Sequence, residues 1–298
     1  MDLNLVRKSA NIHKQIVGSV RKFIKPNQTA VIDICKFIEN EIGKHFSSEK
    51  IYGPLYGIAF PVGININNVA AHDSAWNNFD KRIININDIV KIDFGVHMFG
   101  NSVDSAFTLA WNNKYFNLMK ASKEGLENAI KVAGVDARLG EISNTIVEVV
   151  NSFDGIKTIK NIGGHNILPY TIHAGKSILC DKSNDDTKMN ANEVYAIEVF
   201  STMSENNSVV IDYSKPCTHY SLKGPCKIKK IFDLRRSLPF ANRWFDKKEV
   251  IQFKKMINQG ICIGYPPLIC DSYTSQFEHT LIINNSEKVE VVTQNDFY

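Results

Sequence analysis

The sequence predicts a single α+β domain carrying a helical insert. Amphipathic helical stretches and alternating strand patterns interleave along the 298 residues, and no low-complexity tract, repeat or long linker divides them. One basic segment towards the C-terminal end breaks the pattern. Hydrophobic residues make up 44% and charged residues 22%, which excludes a disordered chain. No apolar run approaches the roughly 18 residues of a membrane helix, and the charged start M-D-L-N-L-V-R-K is unlike a signal peptide. A cytoplasmic monomer without membrane contact is expected. Six cysteines without C-x-x-C spacing argue against a structural zinc site.

The first helix is expected over residues 3 to 24, where Leu5, Ile12, Ile16, Val20 and Phe23 recur at mostly helical spacing until Pro26 stops it. Thr29 is the expected N-cap of a second helix with Ile32, Cys35, Ile38, Ile42 and Phe46 along its apolar stripe. A Gly- and Pro-rich stretch (53 to 63) then leads to V-K-I-D-F-G-V-H-M-F-G-N-S-V-D-S-A-F-T-L-A-W (90 to 111), whose alternation about Gly100 reads as a β-hairpin. Helical stretches follow near 114 to 134 and 139 to 153, then short strands from about 157 to 213. Residues 214 to 266 turn basic and helical in pattern, with Ile231, Leu234, Leu238, Val250, Phe253 and Ile257 as apolar positions. They read as an insert between strands, so that 1 to 213 and 267 to 298 form one body. An apolar strand, Q-F-E-H-T-L-I-I (276 to 283), closes the chain.

Charge is distributed unevenly. Residues 219 to 260 hold eleven Lys and Arg against three Asp and Glu, a net +8 that leaves −4 for the remainder of a chain whose total is +4. The run K-I-K-K-I-F-D-L-R-R, with Lys229, Lys230, Arg235 and Arg236, fits a solvated helix face or a surface that meets phosphates.

The acidic candidates lie in apolar strands. Asp93 and Asp104 are read as facing each other across the hairpin, where like charges repel and unpaired burial costs more still. A cation between them is therefore expected. Glu198 in E-V-Y-A-I-E-V-F and Glu278 in Q-F-E-H-T-L are likewise flanked by apolar residues, and His165 lies in I-G-G-H-N-I. Four carboxylates and one imidazole form an oxygen-rich, thiol-free set suited to divalent Mn, Fe, Co or Zn. Charge neutrality favours two ions over one, because two divalent cations and a hydroxide nearly balance four carboxylates.

At this point the residues carry a family likeness. K-I-D-F-G-V-H with V-D-S-A-F-T, G-G-H-N-I-L-P-Y-T-I-H-A-G-K, E-V-Y-A-I-E and S-Y-T-S-Q-F-E-H-T resemble the type 2 methionine aminopeptidases, as do A-F-P-V-G-I-N-I-N-N-V-A-A-H (59 to 72), C-T-H-Y, R-W and Y-P-P-L. The likeness covers nearly the whole chain. It implies a pita-bread fold, a curved antiparallel sheet flanked by helices, with a dinuclear centre on its concave face. Asp93 would chelate one ion, His165 and Glu198 the other, and Asp104 and Glu278 would bridge them. Outside the metal shell, His72 would contact the scissile amide and His173 the substrate carbonyl, while Glu198 could also take a proton from the attacking water. The pocket for the methionine side chain would comprise Phe60, Ile172, His219 and Tyr265, and 214 to 266 would be the subdomain that marks type 2 enzymes. The implied substrate is the N-terminal Met of nascent polypeptides, and the basic insert would allow contact with the ribosome.

The chain departs from the family pattern in places. Asn166 stands where the family usually has Ser, Leu168-Pro169 replaces small or polar residues, the approach from Cys270 to Gln276 is shortened, and the long charged N-terminal extension of eukaryotic members is missing. Two rival readings remain: a Xaa-Pro dipeptidase of the same fold, against which the Q-F-E-H-T ending and the insert argue, and a non-catalytic pita-bread protein that binds RNA or a protein partner.

Overall fold

Asp2 starts the first helix by accepting hydrogen bonds from the N–H groups of Asn4 and Leu5, and α1 (Leu3–Phe23) runs until the approach to Pro26. The computed structural model describes residues 1–46, 51–223, 235–245, 247–285 and 289–297. The second helix, α2 (Val31–His45), is not capped by Thr29 as expected: its cap is Ala30, which makes no side-chain bond. The Thr29 hydroxyl instead accepts from the Lys25 N–H at 2.8 Å, and the Val31 N–H donates to the Arg82 carbonyl at 2.8 Å. A tertiary bond has taken the place of a local cap.

The hairpin pairs β4 (Ile89–Met98) with β5 (Asn101–Ala110) through Phe99 and Gly100, both at positive φ (50° and 77°), as a two-residue hairpin turn requires. Because the turn closes on Met98 and Asn101, Asp93 stands opposite Ala106 and Asp104 opposite Gly95. The expected face-to-face pair is thus a diagonal pair on one face of the hairpin, close enough for side chains to interact. Only glycine fits opposite Asp104, since a Cβ on Gly95 would lie 2.4 Å from the Val103 carbonyl oxygen and 2.5 Å from the Phe60 ring. Short strands β1 (Tyr56–Ile58) and β2 (Gly63–Ile66) also pair with β4.

A second antiparallel sheet contains β6 (Lys157–Thr158), β7 (Gly163–Ile167), β8 (Ser177–Leu179), β9 (Val194–Thr202), β14 (Thr274–Ile282) and β15 (Glu290–Val291). Its order is β15-β14-β9-β7-β8, with β6 also on β9. The two sheets meet where hydroxyls of one strand bond the backbone of another. Thr280 Oγ1 donates to the Asp104 carbonyl (2.6 Å) and accepts from its N–H (2.8 Å), Ser105 Oγ donates to the Glu278 carbonyl (2.7 Å), and Thr108 Oγ1 to that of Gln276 (2.6 Å). This seam sets Asp104 beside Glu278.

Helices cover the faces opposite the acids. On the hairpin, the α1 residue His13 stacks on Phe94 with centroids 4.1 Å apart. Behind β9, α3 (Phe116–Val132) and α4 (Leu139–Asn151) pack so closely that a Cβ on Gly125 would lie 2.8 Å from Val150 and 3.1 Å from Val199. Burying these apolar faces, at roughly 25 cal/mol per Å², holds the strands rigid and leaves the carboxylates on the other side.

Three further strands, β3 (Val69–Ala71), β10 (Val210–Ile211) and β13 (Leu268–Ile269), form a small sheet at the edge of the site. Between 214 and 266, β11 (His219–Leu222) pairs with β12 (Cys262–Tyr265), so the described part of this segment begins and ends on strands and its pattern is not purely helical. Its helix α5 (Lys247–Asn258) packs Phe253 and Met256 against Tyr220 and Phe240. The segment is tied to α2 by a buried ion pair between Arg243 and Glu39, with Trp244 Nε1 donating to the same carboxylate at 3.0 Å. Lys229, Lys230, Ile231 and Leu234 lie outside the described residues. Of the two arginines read as part of a solvated helix face or a phosphate-meeting surface, Arg235 fits neither because it is buried, whereas Arg236 is exposed and lies over the Tyr170 ring. Among the described residues no helix is long and apolar enough to cross a membrane.

Candidate metal centre and active site

Every residue singled out from the sequence as ligand, catalytic group or pocket wall borders one cavity of about 510 Å³. Period-two alternation explains the placement. In β14 and β9 the register sets Glu278 directly opposite Glu198, and β7 brings His165 opposite Ala196, two residues from Glu198.

Asp104, His165 and Glu278 each offer a ligand atom within 4.8 Å of the others, and His165 Nε2 lies 3.7 Å from Asp104 Oδ2. Asp93 and Glu198 stand outside that trio. They are joined to each other by Gln276, whose Nε2 donates to Glu198 Oε2 at 3.0 Å and approaches Asp93 Oδ2 at 3.5 Å. Gln276 is the functional residue that sequence reasoning missed as a member of the site. Its signal was the period of two in Q-F-E, which puts it on the same face as Glu278.

The electrostatics of this cluster call for cations. Burial pushes the Asp93 carboxyl up to about 7, although the Gln276 hydrogen bond pulls the other way. Asp104, Glu198 and Glu278 are driven well above the usual carboxylate range, by burial first and then by neighbouring negative charge, that of Asp93 acting on Asp104 and Glu198 and that of Asp104 on Glu278. Burial lowers His165 well below its ordinary value, so it is a neutral imidazole, the form that binds a metal. Asp93 Oδ1, Glu278 Oε2 and His165 Nδ1 are buried without a hydrogen-bond partner, and no lysine or arginine is among the described residues bordering the cavity. Unpartnered oxygen and imidazole donors, no thiols and no protein cation fit divalent metal ions.

Two more histidines flank the acids. His173 stacks on His165 at 3.8 Å between centroids. His72, held at φ 67°, lies 5.9 Å from the His219 ring and meets Tyr265 edge-on at 5.8 Å. Burial, reinforced by His173, lowers His72 to about 4, so it too is neutral near pH 7. The His219 Nε2–H donates to the Pro61 carbonyl at 3.1 Å, and its Nδ1 faces the Thr218 hydroxyl at 3.0 Å. With both nitrogens engaged, that ring serves the cavity as a wall. Phe60 and Ile172 pack together with Ala59 and Leu238 beside it.

An acid-rich, thiol-free donor set lining a cleft is that of a metal-dependent hydrolase. The model of metallopeptidase family M24 matches residues 4–285. Methionine aminopeptidase 2-1 of Fusarium vanettenii is 39% identical over 98% of this chain and 71% of its own length, and methionine aminopeptidase 2 of Kluyveromyces lactis is 38% identical over 99% and 76%. The chain belongs to metallopeptidase family M24 and, within it, to the type 2 methionine aminopeptidases. Among solved structures, that of a thermophilic Arx1 superposes with TM-score 0.81 at 14% identity, over 99% of this chain and 91% of that one. Methionine aminopeptidase from Thermotoga maritima superposes with TM-score 0.71 at 19% identity, over 99% and 97%. These likenesses establish the pita-bread fold.

Proposed function

We propose that the chain is a methionyl aminopeptidase that removes the N-terminal methionine of nascent polypeptides in the cytoplasm, with residues 1–213 and 267–298 as its catalytic domain and 214–266 as an insert subdomain. The observation that carries this reading is the shared cavity: three buried carboxylates, the half-buried Asp93 and a neutral imidazole border the same space as an apolar pocket. Asp93 would hold one divalent ion, His165 and Glu198 a second, and Asp104 and Glu278 both; Mn, Fe, Co or Zn suit such donors. When bound, the pair of ions supplies Lewis acidity and a water whose pKa is lowered towards neutrality.

The protein groups do the rest. Gln276 occupies Glu198 Oε2, which leaves Oε1 to accept a proton from the attacking water. His173 donates to the carbonyl oxygen as it gains charge, and His72 hydrogen-bonds the scissile amide and assists departure of the amine. Phe60, Ile172, His219 and Tyr265 enclose the methionine side chain, whose flexible thioether suits a mixed aromatic and aliphatic wall.

A peptide panel with metal analysis tests this reading. Hydrolysis of Met-Ala-Ser over Xaa-Pro dipeptides, dependent on two divalent ions per chain, is expected. Faster Xaa-Pro cleavage would transfer the protein to the dipeptidase reading; prolidase from Pyrococcus furiosus shares the fold at TM-score 0.60 and 13% identity, the chain covering 64% of it. No cleavage of either substrate by metal-loaded protein would leave the non-catalytic reading.

The basic insert supports docking on ribosomal RNA. Arg235 is withdrawn from that surface by its burial, whereas Lys254 and Lys255 on α5 are exposed. Co-sedimentation with ribosomes is expected to weaken steeply with salt and to fall on Lys254→Glu with Lys255→Glu. Binding indifferent to both treatments would contradict the idea.

A further inference from the structure

Arg235 is the largest of the fully buried side chains, at 1% exposure, and among the described residues no carboxylate pairs with it. Its guanidinium donates to main-chain carbonyls instead. Nη1 reaches Ile58 at 3.0 Å, Nη2 reaches Ala59 and Pro239, each at 2.8 Å, and Nε reaches Pro239 at 3.2 Å. Burial lowers its pKa to about 9. A buried cation with no carboxylate partner, eased only by the Trp244 ring 5.4 Å from its guanidinium carbon, is costly, so its position calls for a reason beyond filling space.

The reason lies in what these carbonyls belong to. Ile58 and Ala59 lead directly into Phe60, and Pro239 borders the cavity itself. The three residues after Arg235 reach the opposite wall. Arg236, at φ 51°, sets its guanidinium carbon 4.4 Å from the Tyr170 ring centroid, and Ser237 Oγ donates to the Tyr170 carbonyl at 2.6 Å. Leu238, fully buried, packs with Ala59, Phe60 and Ile172. Tyr170 is also left-handed at φ 62°, follows Pro169 in a turn closed by mutual backbone bonds between Leu168 and Thr171, and donates its hydroxyl to the Pro54 carbonyl at 2.9 Å. Non-glycine residues rarely hold positive φ without tertiary support, and here two of them touch. Four consecutive insert residues therefore span from the Phe60 wall to the wall that carries Ile172 and His173.

We propose that Arg235–Leu238 is a buckle that sets the spacing of the two pocket walls, and hence which first side chain the enzyme accepts, with Arg235 as its positioning residue. This rests on the pocket assignment made above. The guanidinium is suited to the task because its planar fork bonds three carbonyls in fixed directions. A lysine ammonium at the same place is a point charge on a flexible stem, and a neutral side chain leaves the carbonyls unpaired. A spacing held in this way favours a slender unbranched side chain, and loosening it admits branched and aromatic ones.

Arg235→Met and Arg235→Lys test the proposal, with a Ser237→Ala, Arg236→Ala double variant acting on the exposed half of the buckle. Met-Ala-Ser, Ile-Ala-Ser and Phe-Ala-Ser hydrolysis is measured together with metal content, melting temperature and hydrogen exchange of the amides at 58–60 and 170–173. For Arg235→Met the KM for Met-Ala-Ser is expected to rise and the preference for Met over Ile to fall, each by about tenfold, the scale set by a methylene-sized misfit. The kcat and metal content should change little, Arg235→Lys should lie between, and both amide segments should exchange faster. Unchanged selectivity in a folded Arg235→Met protein overturns the proposal, as does a loss of kcat that tracks loss of metal. Should Arg235→Met not fold, the double variant must itself lower the Met preference, or the proposal fails. If wild-type protein cleaves none of the peptides, the aminopeptidase reading has failed, and joint loosening of 58–60 and 170–173 by a substitution at 235 then decides the buckle alone.

Discussion

Glu278→Gln is expected to abolish Met-Ala-Ser hydrolysis and paired metal binding, yet to leave a metal-free protein more stable at neutral pH than the wild type. Glu278 is 1% exposed and stands opposite Glu198 in the sheet. Burial, followed by the charges of Asp104, Glu198 and Asp93, holds its carboxyl well above the usual range. Without metal, the folded protein therefore binds this proton more tightly than the unfolded chain, whose glutamate titrates near about 4.3. Above that pH the unfolded state ionises freely and the folded state does not. Stability is lost as pH rises through this window, at about 1.4 kcal/mol per pH unit until the folded carboxyl ionises. Glutamine does not titrate, so the two metal-free proteins should melt together near pH 4 and separate as pH rises. The buried histidines contribute the opposite slope, but they are common to both proteins and cancel in the difference. Metal reverses the order for the wild type: its ligands must be deprotonated, so binding releases protons and strengthens with pH. Wild-type turnover or two bound ions in Glu278→Gln would refute the dinuclear assignment. Coincident melting curves across pH would refute the account of the buried charge.

That tension explains how the site could be found in the sequence and where the reading stopped. Asp93, Asp104, Glu198 and Glu278 are conspicuous because ionised groups in apolar strands are expensive, and the same expense is what the structure shows as raised carboxyl pKa values. The register of the hairpin was less legible. It depends on whether the two-residue turn comprises Phe99 and Gly100 or Met98 and Phe99, and that choice decides whether Asp93 faces Ala106 or Asp104. Gln276 carries no charge, so nothing in the chain distinguishes it from a surface amide until β9 and β14 are paired. Thr29 offered the composition of a cap, but its hydroxyl is taken by the nearby Lys25 N–H and the Val31 N–H by the distant Arg82 carbonyl. Arg235 lies in a run of cations, where composition alone points to solvent. Only its placement against Ile58, Ala59 and Pro239 reveals an interior role.

His72→Asn is expected to lower kcat by roughly 10²- to 10³-fold, the usual loss when a preorganised donor is removed from a reacting centre, while metal content and melting temperature stay near wild type. Asparagine is the suitable replacement because position 72 is left-handed, a conformation that Asn adopts more readily than most residues. His72 touches pocket walls: its ring neighbours are His219 and Tyr265. His173→Asn offers the contrast. Its ring lies flat on His165, so its loss removes both a donor and the packing that orients a ligand, and metal affinity should fall about tenfold or more along with turnover. Titrating metal into the two variants separates these roles. If metal affinity falls in His72→Asn and not in His173→Asn, the assignments are exchanged and His72 belongs to the metal shell. If neither variant slows turnover, neither imidazole stabilises the reacting amide, and the four carboxylates with their metals must carry the chemistry unaided.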